Sequence, residues 1–470
     1  MGLNIFKSKF SSLSHDFDLR LDSKFYSKIN EDDFKVINKS QYPFIELRHI
    51  LFPSYEDFDY KEDEVYKSLS TNAENFDEEG NILNYGEVNK ENHPDRIKYK
   101  VKEKDIVISS LKGAKVSAIF IDKDKTDYEW SNGFYIFKNQ HQKFRTLYLY
   151  YLLRSRLFKA ILDDNLSRGI GISVYYDRDL LRLKIPLVPE TIQDETIESI
   201  VKIESEISKI KKSMPNTQEV IERVLEEELS CFYNQELIDK RKTQVFSKKT
   251  SEISRRKFLR LDPKYYVFWD KTKGKLFESE KINCVKLGRI IKLTKDKILK
   301  KGDLDKEYIL IDKEDVDSKN GIIVNENQVD KIDSDKILFG EADILIPKLR
   351  PYLGGTFLNQ KEKDLIGTPE FLPYSVDGNK LLKEYLKYIL LSKDFLNLVS
   401  YLSSGKEHPR ISSYDLESIE IPLPISDEKL TKQKRVIDII EKRLGDLNEK
   451  RKLIENHRMK IENMIHQSLK

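Results

Sequence analysis

Cysteine is nearly absent: Cys231 and Cys284 are the only two in 470 residues, far apart and outside any CxxC spacing. Neither a disulfide framework nor a zinc knuckle can be built from them, and a reducing compartment fits. Long apolar runs are missing too, which removes the sequence signature of a membrane-spanning helix. The opening MGLNIFKSKF has no apolar signal-peptide core and no serine or threonine at its sixth position, where a myristoylation site wants one. A cytoplasmic protein with no membrane partner is expected. No Pro-Pro dipeptide occurs, so the Asp/Asn-Pro-Pro-aromatic signal of an enzyme that methylates an extruded adenine has no counterpart. Gly169-Ile-Gly171 alone is too little for a cofactor loop. A metal-dependent nuclease needs clustered carboxylates beside a lysine. Asp343 and Lys348 come nearest, but Ile346 stands where the acidic residue two before the lysine belongs.

Charge of one sign is also lacking, since 83 Lys and Arg face 80 Asp and Glu for a formal net charge of +3. Affinity for nucleic acid would have to come from local basic surface rather than from the overall balance. Charged residues at 35% and hydrophobic residues at 39% describe a folding chain with much exposed helix. The length suits two medium domains with long connecting elements.

Laid against itself, the chain repeats. FDLRLDSKFY, with Arg20, Leu21, Asp22, Lys24 and Tyr26, returns as KFLRLDPKYY, with Arg260, Leu261, Asp262, Lys264 and Tyr266. Farther on, Lys104-Asp105-Ile106-Val107-Ile108 answers Ala342-Asp343-Ile344-Leu345-Ile346, and Lys112 aligns with Arg350. YLYYLLRS ending at Ser155 answers YLKYILLS ending at Ser392, Asp179-Leu180 answers Asp415-Leu416, and Ile185-Pro186-Leu187 answers Ile421-Pro422-Leu423. The offset drifts from 240 to 236, as small length differences in a tandem duplication require. Blocks this long are domains and not solenoid units. Asp22 and Asp262, each beside an arginine near a repeat start, read as a local ion pair or cap.

Within each copy, KDIVISSLKGAKVSAIFID and ADILIPKLRPYLGGTFL alternate apolar residues between turn signals and read as strands of a partly exposed sheet. TLYLYYLLRSRLFKAIL and LKEYLKYILLSKDFLNLVSYL carry helical spacing. The class expected is α+β, with two tandem repeated domains. After each IPL the pattern changes to a coiled-coil stripe: Ile200, Ile203, Ile207, Ile210 and Met214 in the first copy, and Ile437, Ile440, Leu444, Leu447, Ile454, Ile461 and Ile465 in the second, interrupted at Arg451. Some forty helical residues make a rod of roughly 60 Å. Pro215 should interrupt the first rod, with Asn216 or Thr217 capping a restart. An antiparallel pairing of the two rods would relate the domains by an approximate two-fold axis. The alternative is that each helix packs only on its own domain.

SSGKEHPRISSYDLESIEIPLP, from Ser403 to Pro424, followed by a heptad helix, resembles the end of a target-recognition domain and the conserved helix of type I restriction-modification specificity subunits. The RLD start at Arg260 and ADILIPKLRP from Ala342 resemble other parts of that domain, and the likeness spans nearly the whole chain in two copies. It implies target-recognition domains at 1–190 and 241–425, central coiled-coil helices at 191–240 and a C-terminal helix at 426–470. It further implies a non-catalytic subunit whose domains each read half of a bipartite, asymmetric site in double-stranded DNA. The coiled coil would set the spacer and hold two methyltransferase subunits, which a motor nuclease subunit can join. No cofactor is implied on this chain; S-adenosylmethionine, ATP and Mg²⁺ belong to the partners. Rival readings are the same two-domain reader serving a combined restriction-methylation enzyme, and a coiled-coil scaffold that binds only proteins. The first copy departs from the pattern, because Val174 stands where the second copy has Arg410 and Ser173 where it has Pro409.

Phosphates are met mostly by Lys, Arg and backbone N–H groups near glycine, and base edges by bidentate Arg, Asn or Gln. The candidates for DNA contact are Lys112, Gly113 and Lys115 in the first domain. In the second they are Lys348, Arg350 and Tyr352, with Gly354 and Gly355. Arg168, Lys406 and Arg410 are further candidates. The basic tract from Lys240 to Arg260 reads equally as a phosphate track or a solvated linker, and the acidic stretch from Glu56 is expected to face away from DNA.

Overall fold

The computed structural model describes residues 40–58, 60–92, 94–162, 174–230, 232–233, 277–278, 282–294, 297–361, 363–425 and 429–470. Both RLD segments, the basic tract 240–260, Cys231, Gly169, Gly171 and Arg168 lie outside the described residues. The chain divides into two compact units, Met1–Lys212 with Lys452–Lys470, and Ser213–Arg451. No helix of the described residues is long and apolar enough to cross a membrane.

In the first unit β1 (Phe44–Glu46) pairs with β11 (Lys184–Pro186). A four-stranded sheet runs β2 (Leu51–Pro53), β10 (Phe134–Asn139), β7 (Ile106–Ser109), β8 (Ala118–Phe120). A five-stranded sheet runs β3 (Glu56–Asp57), β6 (Ile97–Lys100), β9 (Tyr128–Ser131), β4 (Tyr66–Leu69), β5 (Gly86–Val88). The second unit repeats this strand for strand. Here β12 (Ile282–Lys286) pairs with β22 (Glu420–Pro424), and the four-stranded sheet runs β13 (Ile291–Leu293), β21 (Phe371–Val376), β18 (Ile344–Pro347), β19 (Phe357–Leu358). The five-stranded sheet runs β14 (Lys297–Leu299), β17 (Lys336–Leu338), β20 (Leu365–Gly367), β15 (Gly302–Ile311), β16 (Asn327–Ile332). In both copies the fourth strand of the larger sheet joins the third in parallel, β4 with β9 and β15 with β20, and every other labelled pair is antiparallel.

The central strands β7 and β18 are buried along their whole length, not partly exposed as their alternation suggests. In β18 the reason is visible: Ile344 and Ile346 enter a core shared with helices, while Leu345 points into a second core among Phe339, Phe357 and Phe371. A strand apolar on both faces is what a sheet covered on both sides requires.

Each helical stretch after the sheets is two helices. In the first copy α1 (Thr146–Arg154) gives way to α2 (Arg156–Ile161). After the short α3 (Asp177–Leu180) come α4 (Glu190–Lys212) and α5 (Thr217–Leu229). In the second copy α6 (Lys383–Leu391) precedes α7 (Lys393–Leu402), and α8 (Ser413–Ser418) corresponds to α3. The last helix, α9 (Lys429–Ser468), is 40 residues long. The breaks fall at Ser155 and Ser392, where ψ swings to 150° and 146°. There the serine Oγ accepts from the Phe158 and Phe395 amides and donates to the Leu152 and Ile389 carbonyls. A serine that caps one helix while closing the last turn of another explains why an unbroken helical spacing hides a boundary. The helix α1 is also not amphipathic, for Tyr148 through Leu153 are all buried. Pro215 ends α4 as expected, and Asn216 restarts the chain through a reciprocal cap with Glu219.

Two buried glutamines dock the long helices. Gln193 in α4 accepts from the Arg145 amide at the start of α1 (2.8 Å) and donates to the carbonyls of Lys143 and Val188. Gln433 in α9 does the same in the second unit, accepting from the Leu382 amide (2.8 Å) and donating to the Lys380 carbonyl (3.0 Å). Both are fully buried. Farther along, Tyr151 donates to Glu204 and Tyr388 to Glu441. In the second unit α5 also packs on α9, with Ile221, Val224, Leu225 and Leu229 meeting Val436, Ile437 and Ile440. Glu228 pairs with Lys432 and Arg435, and Glu227 with Arg443.

The copies diverge inside the same frame. Trp130 and Gly367 occupy equivalent ladder positions, and a Cβ on Gly367 would lie 2.3 Å from the Phe339 ring, so the second copy fills with Phe339 the space the first fills with Trp130. One residue earlier, Glu129 stands where the second copy has Ile366. Glu129 is 5% exposed, and no donor reaches its Oε2 among the described residues. Burial pushes its carboxyl up to about 7, against a smaller pull from Lys100.

Gln433→Leu should cost the second unit about 1–3 kcal/mol by leaving the Leu382 amide buried and unpaired. Urea unfolding followed domain by domain, with Gln193→Leu as its counterpart, checks this. The folded state holds the Glu129 proton more tightly than the unfolded chain, so its contribution falls as pH rises from about 4.5 to about 7 and stays low above that. Glu129→Ile should therefore stabilise the first unit at pH 8 by on the order of 3 kcal/mol and flatten that part of the pH profile.

Candidate nucleic-acid interface

The loop after the central strand of each copy carries the basic candidates. In the first, Lys112, Gly113 and Lys115 lie exposed between β7 and β8. Gly113 has φ of +71°, with no atom near an added Cβ, so glycine is there for the turn. Lys115 faces Glu78 at 3.5 Å, and Glu78 is held in turn by Arg458 at 3.1 Å. The segment after Val174 closes over this loop: Val174 bridges Leu111, and the Tyr175 hydroxyl donates to the Leu111 carbonyl at 2.7 Å.

The second copy builds the same backbone with other side chains. Leu349 bridges Arg410, as Leu111 bridges Val174. The Ile411 amide meets the Lys348 carbonyl, as the Tyr175 amide meets that of Ser110. Residues Ser404 and Arg410 close a hairpin whose tip, Gly405 to Pro409, exposes Lys406, Glu407 and His408. Arg350 adopts a left-handed conformation (φ 48°, ψ 53°); its amide donates to Pro409 and its guanidinium to the Glu407 carbonyl (2.9 Å). Arg410 grips Glu370 through Nε (3.0 and 3.1 Å) and Nη2 (2.9 Å).

The structure thus gathers Lys348, Arg350, Lys406 and Arg410 around one hairpin. It turns Tyr352 against the hydrophobic core instead. Gly354 is required by a close approach, since a Cβ there would sit 2.2 Å from the Ser318 carbonyl oxygen. Three further residues, not among the sequence candidates, join the cluster. Lys313 donates to the Leu349 carbonyl at 3.0 Å, and its ammonium is lowered from the ordinary lysine value by burial and by Arg350. Glu370 is held below the usual carboxylate range by its bonds to Arg410, with Lys348 and His408 adding to the pull. His408 lies at the hairpin tip. Lys313 and Glu370 carry no local sequence signal, because each reaches the cluster by chain reversal, whereas His408 sits between the candidates Lys406 and Arg410 and could have been named with them.

Asp343 serves the fold rather than any chemistry. One of its oxygens accepts from the Val376 amide (2.8 Å) and the other pairs with Lys361 (2.9 Å). Asp105 also serves the fold, but locally, accepting from the Lys102 amide three residues before it (2.8 Å). Among the described residues no group of His, Cys, Asp and Glu is arranged to hold a metal ion.

Residues 53–219 and 279–456 each match the family model described as type I restriction modification DNA specificity domain. The chain belongs to this type I DNA specificity family. Three solved structures are similar along their length. A chain from work on complex assembly and conformational transition of the type I R-M system is 14% identical, with 92% of this chain and 99% of that one covered and a TM-score of 0.42. The HsdS subunit from Thermoanaerobacter tengcongensis is 14% identical over 91% and 96%, with a TM-score of 0.35. The S subunit from M. genitalium is 12% identical over 93% and 99%, with a TM-score of 0.39. No curated protein sequence matches significantly. The assignment rests on the two family matches, and with it the function: this is a DNA specificity subunit of a type I restriction-modification system.

Proposed function

We propose that the two specificity domains, at 1–190 and 241–425, each read one half of a bipartite, asymmetric site in double-stranded DNA. The helices at 191–240 and 426–470 pair as an antiparallel coiled coil that relates the domains by an approximate two-fold axis. The coiled coil sets the spacer, with a 40-residue α9 of about 60 Å as its ruler. The same helices dock two methyltransferase subunits, and a motor nuclease subunit can join. The chain acts by binding alone; S-adenosylmethionine, ATP and Mg²⁺ serve the partners.

The observation that carries this reading is one backbone built twice with different side chains at the same loop: Val174 against Arg410, and Lys112 against Arg350. Two readers of unlike half-sites need a shared frame and unshared loops. Lys112, Gly113, Lys115 and Arg168 in the first domain, and Lys348, Arg350, Lys406 and Arg410 in the second, are the residues proposed to meet DNA; Tyr352, turned against the core, is not. Arg350 and Lys348 are the strongest of these, because they sit beside the hairpin with a net positive charge.

The methylome of a host strain should lose one bipartite adenine motif when the gene is deleted. Complementation with Arg350→Ala should weaken or relax only the second half of that motif, and loss of both halves together would count against separate readers. Binding by the purified complex should fall steeply with salt.

A further inference from the structure

We propose that Arg410 reads a guanine in the second half-site and that Glu370 is its positioning residue. This rests on the second domain being a DNA reader, and adds which base it selects and by which pair.

The pair is absent from the first copy as a unit. Phe371 pairs with Pro347 as Phe134 pairs with Ser109, so Glu370 is equivalent to Gly133. The backbone agrees: the Lys348 amide donates to the Glu370 carbonyl and the Ser110 amide to that of Gly133. Val174 holds the place of Arg410 by the shared bridge to the preceding leucine. The fold therefore forms with glycine and valine at these two positions, and neither the charge of Arg410 nor that of Glu370 is needed to build it.

The geometry of the grip decides what Arg410 has left to offer. A guanidinium carries five N–H donors. Nε and Nη2 each spend one on Glu370, and Nη1 spends one on the His408 carbonyl at 3.2 Å. One N–H remains on each terminal nitrogen, and two donors are what the O6 and N7 acceptors on the major-groove edge of guanine call for. Electrostatics favour the same target. Glu370 cancels the charge of Arg410 locally, so a phosphate gains little from the pair and meets a carboxylate beside it. A neutral base edge collects both hydrogen bonds without that repulsion. Lys348, and Lys313 and Arg350 with the donors they do not spend on the Leu349 and Glu407 carbonyls, are left for the backbone phosphates. A bidentate guanidinium is also not replaced by lysine, whose ammonium is a point charge.

The test is selection from a randomised DNA duplex library by the full-length chain assembled with its methyltransferase subunits. Wild type, Arg410→Val, Arg410→Lys and Glu370→Gln are compared, with thermal melts to confirm that each folds. The expected result is a guanine at one position of the second half-site, preferred by about 10- to 100-fold in wild type and lost in both Arg410 variants. Glu370→Gln should loosen that same position while the first half-site and the salt slope stay as they were. A uniform loss across sequences with the salt slope reduced by about one would make Arg410 a phosphate contact and overturn the inference. An unchanged motif would do so as well. In either case wild type would still select a two-part sequence, and the specificity reading would survive. A wild type that selects no sequence at all would overturn both.

Discussion

The buried glutamine at the foot of each long helix is the constraint from which the rest of each unit takes its bearings. Gln193 and Gln433 satisfy backbone groups of the segment that enters the buried helix, groups that would otherwise be stranded away from water at a helix start. The strictly polar, directional bonds fix rotation and register where apolar packing alone would tolerate sliding. The helix that each glutamine anchors, α1 or α6, lies against the four-stranded sheet, and the middle of that sheet carries the loop with the basic candidates. Within each unit the loop is therefore referred to the long helix through a short chain of rigid parts.

Given that frame, side chains were free to diverge wherever volume or polarity could be balanced nearby. Trp130 is matched by Gly367 with Phe339, which conserves the filled space while moving its source to another strand. Glu129 and Ile366 show an unbalanced case: a carboxyl takes an aliphatic position, burial raises its pKa, and among the described residues no donor reaches its Oε2. Ring contacts among Phe58, Tyr60 and Tyr66, 4.6 to 5.6 Å between centroids, crowd the first copy's larger sheet. The second has Leu299, Tyr308 and Ile332 packed with Ile366.

The duplication, the order of strands, helical stretch and long helix in each copy, and the restart at Asn216 are legible in the sequence, because each depends on local patterns, whereas the five-stranded sheets are not read from it. The loops bearing Lys112, Lys348 and Arg350 are legible for the same reason, as glycine and proline beside basic residues mark turns. What escapes is nonlocal. Ser155 and Ser392 look like ordinary helix residues until a ψ near 150° turns them into caps. Burial of β7 and β18 on both faces depends on a second layer that no four-residue window contains. Glu370 meets Arg410 across forty residues, and only pairing of β21 with β18 brings it there. Gly354 reads in the sequence as an approach for phosphate, whereas its reason is the Ser318 carbonyl.

The two copies also brace the loops after their central strands by different means. In the first, Lys115 is tied through Glu78 to Arg458 on α9, and the neighbouring Glu79 is shared by Arg458 and by Lys211 on α4. The loop is thus coupled electrostatically to both long helices of its unit. In the second, Arg350 and Arg410 are tied to the carbonyls of their own hairpin and to Glu370, all within the reading domain. Exposed ion pairs contribute little each, but Arg458 is mostly buried and its bonds to two carboxylates are charge-assisted. Loss of the Lys115 pair would leave Glu78 to Arg458 and Lys211, so a change at this loop alters charge pairing on the helices. Among the described residues the side-chain bonds of Arg350 and Arg410 stay within their own domain, so the two copies, built on one backbone, differ in how the loop after the central strand is held.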